Sequence, residues 1–278
     1  MRDEFNLSKT IIITGGSDGI GAAAARTLVD RGHRVVIVGR SESKTRKIAA
    51  ELGIPCYVAD FADLAQVRGL AEELLQMYPE INVLANNAGG IMGERALTTA
   101  GYEKTFQVNH LSPFLLTRLL MPALIAGGAT IIQTASVAAR IFGRLNLEDL
   151  QNADGYTPQR AYGNAKLANI LFTQELQHRF GTRGITAVAF HPGIVASSFA
   201  SETTHFMRYI YHGPLKRLFT VTPAQGSDQL VWLAEGTPGV TFHPGAYYES
   251  RRIATKVNPE MHNSQTAEQL WNASDSLL

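Results

Sequence analysis

The run Thr10-Ile11-Ile12-Ile13-Thr14 leads directly into Gly15-Gly16-Ser17-Asp18-Gly19-Ile20-Gly21, and then into an alanine-rich stretch beginning at Ala22. No other feature restricts the fold so tightly. β-Branched side chains fit a pleated, buried surface. Closely spaced glycines permit a tight turn with positive φ, and alanine is the strongest helix former. The strand shows no polar alternation, so it is covered on both faces. Strands of that kind belong to parallel sheets whose crossover helices lie on the two faces.

The same unit repeats down the chain. Apolar runs predict further strands at Arg34–Val38, Ile54–Ala59, Ile81–Asn86, Thr130–Thr134, Gly184–Phe190 and Gly245–Glu249. Between them lie an alanine-rich helix ending about Arg31 and helices at about Ser41–Leu52, Leu64–Met77, Tyr102–Ile125, Ala161–Phe180 and Pro223–Glu235. A short helix is expected near Thr266–Trp271, and residues 191–222 read as irregular or partly helical. The expected fold class is α/β: one doubly wound domain over residues 1–278, with a seven-stranded parallel sheet and helices on both faces.

Composition removes several function classes. The 25 basic and 24 acidic residues leave a formal charge of +1, which offers no basic surface to nucleic acid and no charge run to a membrane. Cys56 is the sole cysteine, so no internal disulfide can form. Its place in the run Ile54–Ala59 marks it as a buried small hydrophobe. The polar opening Met1–Thr10 lacks the apolar core of a signal peptide, and no apolar run reaches the roughly 18 residues of a membrane span. A cytoplasmic protein with no membrane partner is expected. The eight histidines are scattered without paired ligand spacing, so no metal site is expected, and His110 and His191 read as structural.

The glycine turn sits where a doubly wound fold places the pyrophosphate of a dinucleotide, against backbone N–H groups and the positive end of a helix dipole. Its spacing is Gly-x3-Gly-x-Gly. Gly15-Gly16-Ser17-Asp18-Gly19 also matches the Gly-x-Ser-x-Gly elbow of hydrolases, but the elbow requires an oxyanion loop from an earlier strand. Only fourteen residues precede Gly15. A phosphate loop of the NTPase kind fails, because Ala22-Ala23 stands where Lys and Ser/Thr are required. The second strand ends Val38-Gly39-Arg40-Ser41 with no acid to hold a ribose 2′-hydroxyl. Arg40 is instead placed to grip a 2′-phosphate, which points to NADP(H), with Ser17 and Ser41 as added hydroxyl contacts. Asp18 opposes that preference.

Tyr162-Gly-Asn-Ala-Lys166 places a phenol and an ammonium on one helical face. A neighbouring ammonium favours the phenolate and makes the tyrosine an acid or base near neutral pH. Ser136 follows the fifth predicted strand, at the sheet edge where such folds bind ligands, and its hydroxyl is suited to hold a substrate oxygen.

On these residues the chain resembles the short-chain dehydrogenase/reductase family over about residues 9–250. The matching elements are Thr14-Gly15-x3-Gly19-Ile20-Gly21, Asp60, Asn86-Asn87-Ala88-Gly89, Asn109, Ser136, Tyr162-x3-Lys166 and Pro192-Gly193. The resemblance implies Asp60 and the backbone of Phe61 at the adenine, and Asn87, Ala88 and Gly89 along its ribose. It implies that Asn109 kinks its helix and holds a water in a proton relay to Lys166. Lys166 would hold the nicotinamide ribose, Ser136 would position the carbonyl, and Tyr162 would exchange the proton. The segment after Pro192 and Gly193, chiefly Ile194 and Val195, would meet the carboxamide, with Ser197 where the family more often has threonine.

Leu147–Leu150, Ala161–Leu176 and His191–Val195 most resemble the retinol dehydrogenase and WW-domain-oxidoreductase branch, which mostly uses NADP(H). Residues 198–222, rich in Phe199, Phe206, Tyr209 and Tyr211, resemble a substrate lid and imply an apolar or aromatic ketone or aldehyde. The same side chains equally suit packing on the core or on a second subunit. The family's dimers and tetramers pair through the Tyr162 helix and the next one, whose apolar residues also suit a core. The expected activity is interconversion of a small-molecule alcohol and carbonyl by hydride transfer. The alternative is an NADP(H)-binding redox sensor with little turnover, against which the complete Ser–Tyr–Lys set argues.

Overall fold

The structure is a computed structural model that describes residues 8–193 and 222–278. Its centre is one eight-stranded sheet in the order β3-β2-β1-β4-β5-β6-β7-β8. The strands are β1 (Thr10–Thr14), β2 (Arg34–Gly39), β3 (Cys56–Val58), β4 (Val83–Asn86), β5 (Thr130–Thr134), β6 (Thr186–His191), β7 (Tyr247–Glu249) and β8 (Arg252–Ile253). The pairings from β3 through β7 are parallel. The expected seven-stranded, all-parallel sheet is therefore corrected at one edge, where β8 pairs antiparallel with β7. Ser250 and Arg251 both have positive φ, 51° and 60°, which makes a two-residue hairpin turn. Neither residue is the Asn or Gly that advertises such a turn in a sequence. Arg251 is held by its N–H to Gln229 Oε1 at 2.8 Å and by an ion pair with Asp228.

The helices are α1 (Gly19–Asp30), α2 (Glu42–Leu52), α3 (Leu64–Met77), α4 (Lys104–Phe106), α5 (Ser112–Ala126), α6 (Ala138–Ile141), α7 (Pro158–Phe180), α8 (Pro223–Glu235) and α9 (Ser264–Ser276). Side chains alternate along a strand, and the sheet uses both faces. Ile11, Ile13, Val35 and Ile37 pack with Leu28 of α1 and with Leu230 and Leu233 of α8. Ile12, Val36, Leu84 and Ile131 pack with α3 and α5 on the opposite face. α9 is longer than expected. Asn263 caps it by accepting from the Thr266 N–H at 3.1 Å. Its buried stripe Ala267, Leu270, Trp271 and Ser274 has the spacing of one helical face. Trp271 packs on Phe114, Phe172 and Phe180 at centroid distances of 4.9, 5.6 and 5.9 Å.

Two further expectations change. β3 is only three residues long, because Pro55 has no N–H for the ladder and the strand lies at the sheet edge. Cys56 is accordingly half-buried rather than buried. The single helix expected over Tyr102–Ile125 is divided: α4 passes into a π-helical turn, Gln107–Leu111, before α5. The stretch Lys104–Ala126 is long and apolar enough to cross a membrane, and 78% of its most apolar window is buried within this fold.

Candidate active site

The glycine turn is built by close contacts that exclude side chains. Gly15 and Gly19 have φ of 66° and 51°, in the left-handed region. A Cβ on Gly21 would stand 2.2 Å from the Gly15 carbonyl oxygen, and one on Gly16 would strike Ile37 at 2.7 Å. The turn is thus held close against β2 and against the start of α1. Asp18 caps α1, accepting from the Gly19 N–H at 2.7 Å. The N–H groups of Ile20 and Gly21 are left without intrahelical acceptors by helix geometry. These N–H groups and the dipole end form a cradle suited to a pyrophosphate.

Thr14 ties this turn to β4. Its hydroxyl donates to the Ala85 carbonyl at 3.2 Å and accepts from the N–H groups of Asn87 and Ala88, each at 3.0 Å. Asn87 returns its amide to the Thr14 carbonyl at 3.0 Å and accepts from Thr134 Oγ1 at 3.3 Å. Thr14 enters the sequence motif without a role, and Thr134 does not enter it at all. A threonine at the end of an apolar strand, where its hydroxyl must find partners, was the available signal.

At the edge of the turn, Ser17 Oγ lies against Gly39, where a Cβ would come within 2.7 Å. Arg40 is exposed just beyond β2. Ser41 occupies the N-cap position of α2 and makes no side-chain cap bond; its hydroxyl meets that of Ser43 at 3.3 Å. Asp18 is itself paired: Lys44, in the first turn of α2, reaches Asp18 Oδ2 at 2.9 Å. Lys44 escaped the sequence reading because its partner is 26 residues away. Asp60 turns its carboxylate to the Ala62 N–H at 2.9 Å. The buried Phe61 gives its carbonyl to Ser112 Oγ at 2.6 Å and to Gln107 Nε2 at 3.1 Å.

The second half of the site is the buried front of α7. Thr157 caps the helix, accepting from the Arg160 N–H at 3.2 Å, and Pro158 opens it. Tyr162 and Lys166 lie one turn apart with the ammonium 5.4 Å from the ring centroid. Both are buried, at 5% and 2% exposure. Lys166 Nζ donates to the Thr134 carbonyl at 2.9 Å. Burial pushes its ammonium from the ordinary lysine range down to about 7.

Tyr162 packs with Ile91 and Ala138. Ala138 donates its N–H to Ser136 Oγ at 3.2 Å, which sets the serine beside the same residue that touches the phenol ring. α6 approaches α7 closely at Gly163, where a Cβ would meet the Ala138 carbonyl at 2.8 Å. Asn109, in the π-helical turn, is fully buried. Glu103 caps α4 through the N–H groups of Thr105 and Phe106 at 2.7 and 2.8 Å, and burial raises its carboxyl.

At the end of β6, His191 is pushed down to about 4, first by burial and then by the Arg140 charge. Pro192 and Gly193 follow, with Gly193 at φ 88°. Ile194, Val195 and Ser197, with residues 198–221 of the expected lid, lie outside the described residues.

A doubly wound sheet with a glycine turn after β1 and a Ser–Tyr–Lys group at the strand C-termini defines a class of dinucleotide-dependent enzyme, and comparison with known proteins agrees. Residues 9–208 match the family model for short chain dehydrogenase. The chain is 38% identical over 274 residues to a Streptomyces sp. (strain C5) protein named as a daunorubicin C-13 ketoreductase, covering 96% of this chain and 91% of the other. It is 35% identical over 283 residues to human retinol dehydrogenase 12, covering 97% and 86%. A crystal structure of a Mycobacterium paratuberculosis protein superposes with a TM-score of 0.78 at 29% identity, covering 97% and 92%. This chain belongs to the short-chain dehydrogenase/reductase family, in its retinol dehydrogenase-like branch. It is an oxidoreductase of the kind that acts on alcohol and carbonyl groups.

Proposed function

We propose that the chain interconverts an alcohol and an apolar or aromatic carbonyl compound with NADP(H), using Tyr162 as the proton-exchanging group. The observation that carries this reading is the buried Lys166 ammonium 5.4 Å from the Tyr162 ring centroid, with Ser136 bound to the residue packed on that ring. An ammonium in a dry site stabilises a developing phenolate far more than one in water. Tyr162 gives its proton to the substrate oxygen during reduction and takes it back during oxidation. Ser136 Oγ holds that oxygen, and Lys166 sustains the phenolate form.

The residues present fit a dinucleotide. The first N–H groups of α1, those of Ile20 and Gly21, have no acceptor within the helix, and the close packing of Gly15 on Ala88 and of Gly21 on the Gly15 carbonyl holds the turn in the shape that presents such a helix end to a pyrophosphate. The nicotinamide supplies the hydride when bound; the protein supplies position and electrostatics. Lys166 is placed to take the nicotinamide ribose. NADP(H) is favoured over NAD(H) because Arg40 stands where an acid would bind the 2′-hydroxyl, and because Lys44 offsets Asp18. The relatives are named for a ketone and for an alcohol, the two ends of one reaction. The apolar substrate class rests on the aromatic content of residues 198–222 and on those names.

The deciding experiment pairs binding with turnover. NADPH should bind at least tenfold more tightly than NADH, as expected for one charge-assisted contact to phosphate. Tyr162→Phe should lower kcat by about a thousandfold with NADPH Kd changed less than about twofold. Equal binding of the two cofactors overturns the NADP(H) assignment. A Tyr162→Phe variant that keeps most of its activity overturns the acid–base role.

A further inference from the structure

Behind the catalytic pair lies a chain of buried polar groups that reaches Asn109 from outside the expected catalytic set. Its origin is a proline. Pro113 has no N–H, so the carbonyl four residues earlier, that of Asn109, receives no donor from the α-helical ladder. It accepts instead from Asn169 Nδ2 of α7, at 3.0 Å. A carbonyl oxygen only accepts, so the Asn169 atom facing it is the amide nitrogen, and Asn169 Oδ1 is an acceptor. Oδ1 lies 3.2 Å from His110 Nδ1, which therefore carries the ring proton. Full burial pushes His110 down to about 4, so the ring is neutral near pH 7 and Nε2 accepts. The Ser274 hydroxyl of α9, 2.9 Å from Nε2, is the donor.

Every bond in the chain runs in one direction: Ser274 to His110, His110 to Asn169, Asn169 to the Asn109 carbonyl. The four residues are at most 2% exposed. Phe106, Phe114 and Phe172 surround the imidazole at centroid distances of 5.3, 6.1 and 5.9 Å.

The chain ends where the lysine rests. Asn109 closes a pair of bonds with Gly90, accepting from its N–H at 3.0 Å and donating to its carbonyl at 2.9 Å. Gly89 is wedged between the Asn109 side chain and the lysine: a Cβ there would stand 2.4 Å from Asn109 Oδ1 and 3.2 Å from Lys166 Nζ. Gly89 and Gly90 thus lie between the Asn109 turn and the ammonium.

We propose that Asn169, oriented by His110 and Ser274, is a positioning residue for catalysis: it holds the Asn109 turn and the Gly89–Gly90 floor that sets Lys166 beneath Tyr162. By this route α9 is coupled to the active site, although it lies beyond the residues 9–208 matched by the family model. The catalytic consequence rests on the oxidoreductase reading above; the mechanical one does not.

The test uses three variants of the full chain and two readouts. Asn169→Leu breaks the link at its centre, Ser274→Ala removes its remote donor, and Ser274→Thr keeps the hydroxyl. Exchange of the Gly90 amide, followed by NMR without cofactor, reads the floor directly. Asn169→Leu should speed that exchange by about tenfold, because the Asn109 turn loses its anchor. It should also lower kcat by about tenfold while KM for the carbonyl and Kd for NADPH change less than about twofold. Ser274→Ala should lower kcat about threefold, and Ser274→Thr should restore it.

Unchanged Gly90 exchange in Asn169→Leu overturns the proposal, as does a lowered Tm with kcat intact. A Ser274→Ala defect that Thr does not repair also overturns it. If Asn169→Leu does not fold, the Ala and Thr variants at 274 carry the same comparison. A wild-type chain that turns over no carbonyl sinks the oxidoreductase reading instead, and the exchange measurement still decides whether the chain of bonds holds the floor.

Discussion

The rim and the centre of this site hold similar side chains under opposite physics. At the rim, the Asp18 and Lys44 side chains are 50% and 56% exposed and pair at 2.9 Å in water, where such pairs contribute little to stability. At the centre, Lys166 and His110 are 2% and 1% exposed, and burial moves their proton equilibria toward the neutral forms. The contrast separates two jobs. Rim charges act on what arrives, chiefly through its own charge. Central groups act through their protonation state and their fixed position.

The largest consequence concerns acid. His110 and His191 are both held near 4 in the folded chain, against an ordinary histidine value of 6.5. Below pH 6.5 the unfolded chain takes up protons that the folded chain refuses. Stability from these groups is therefore complete above about 6.5 and is lost as pH falls toward 4, by up to about 3 kcal/mol for each. Two of the eight histidines should stay neutral by NMR at pH 5, and Tm should already fall between pH 6.5 and 5.5. Eight imidazoles titrating together near 6.5 would erase the distinction between centre and rim.

A smaller effect is expected on turnover. Lys166 is held near 7 by burial, so raising the pH through 7 removes the charge that, on the proposed mechanism, supports the phenolate. The value of kcat/KM for carbonyl reduction should decline above about pH 7, approaching tenfold per pH unit. A flat profile from pH 6 to 9 would mean that the lysine keeps its proton throughout.

The same division explains what the sequence disclosed. The β1 turn, Arg40 and the Tyr162–Lys166 pair are local: each is a strand end, a helix start or a one-turn spacing, so its place in the fold was legible. The π-helical turn was legible only as the kink that the family resemblance implies at Asn109; its form was not, because it depends on a proline at 113 and on an asparagine 60 residues away on α7. His110 reads as structural from its surroundings, and only the direction of its hydrogen bonds shows what it links. β8 was missed because Ser250 and Arg251 adopt a glycine-like conformation supported by Gln229 and Asp228, which no local pattern announces.

The rim offers the smallest and most selective effect. Arg40→Ala should weaken NADPH by about tenfold or more and NADH hardly at all, because only NADPH carries the 2′-phosphate. Lys44→Ala acts differently: it leaves Arg40 in place and uncovers the Asp18 carboxylate beside the incoming phosphate. NADPH affinity should fall about threefold more than NADH affinity, and the difference should shrink at high salt, as interactions in water do. Adding Asp18→Asn to Lys44→Ala should restore the preference, since the repelling charge is gone. If Lys44→Ala weakens both cofactors equally and Asp18→Asn does not restore the difference, the pair merely props the glycine turn. Cofactor choice would then belong to Arg40 alone.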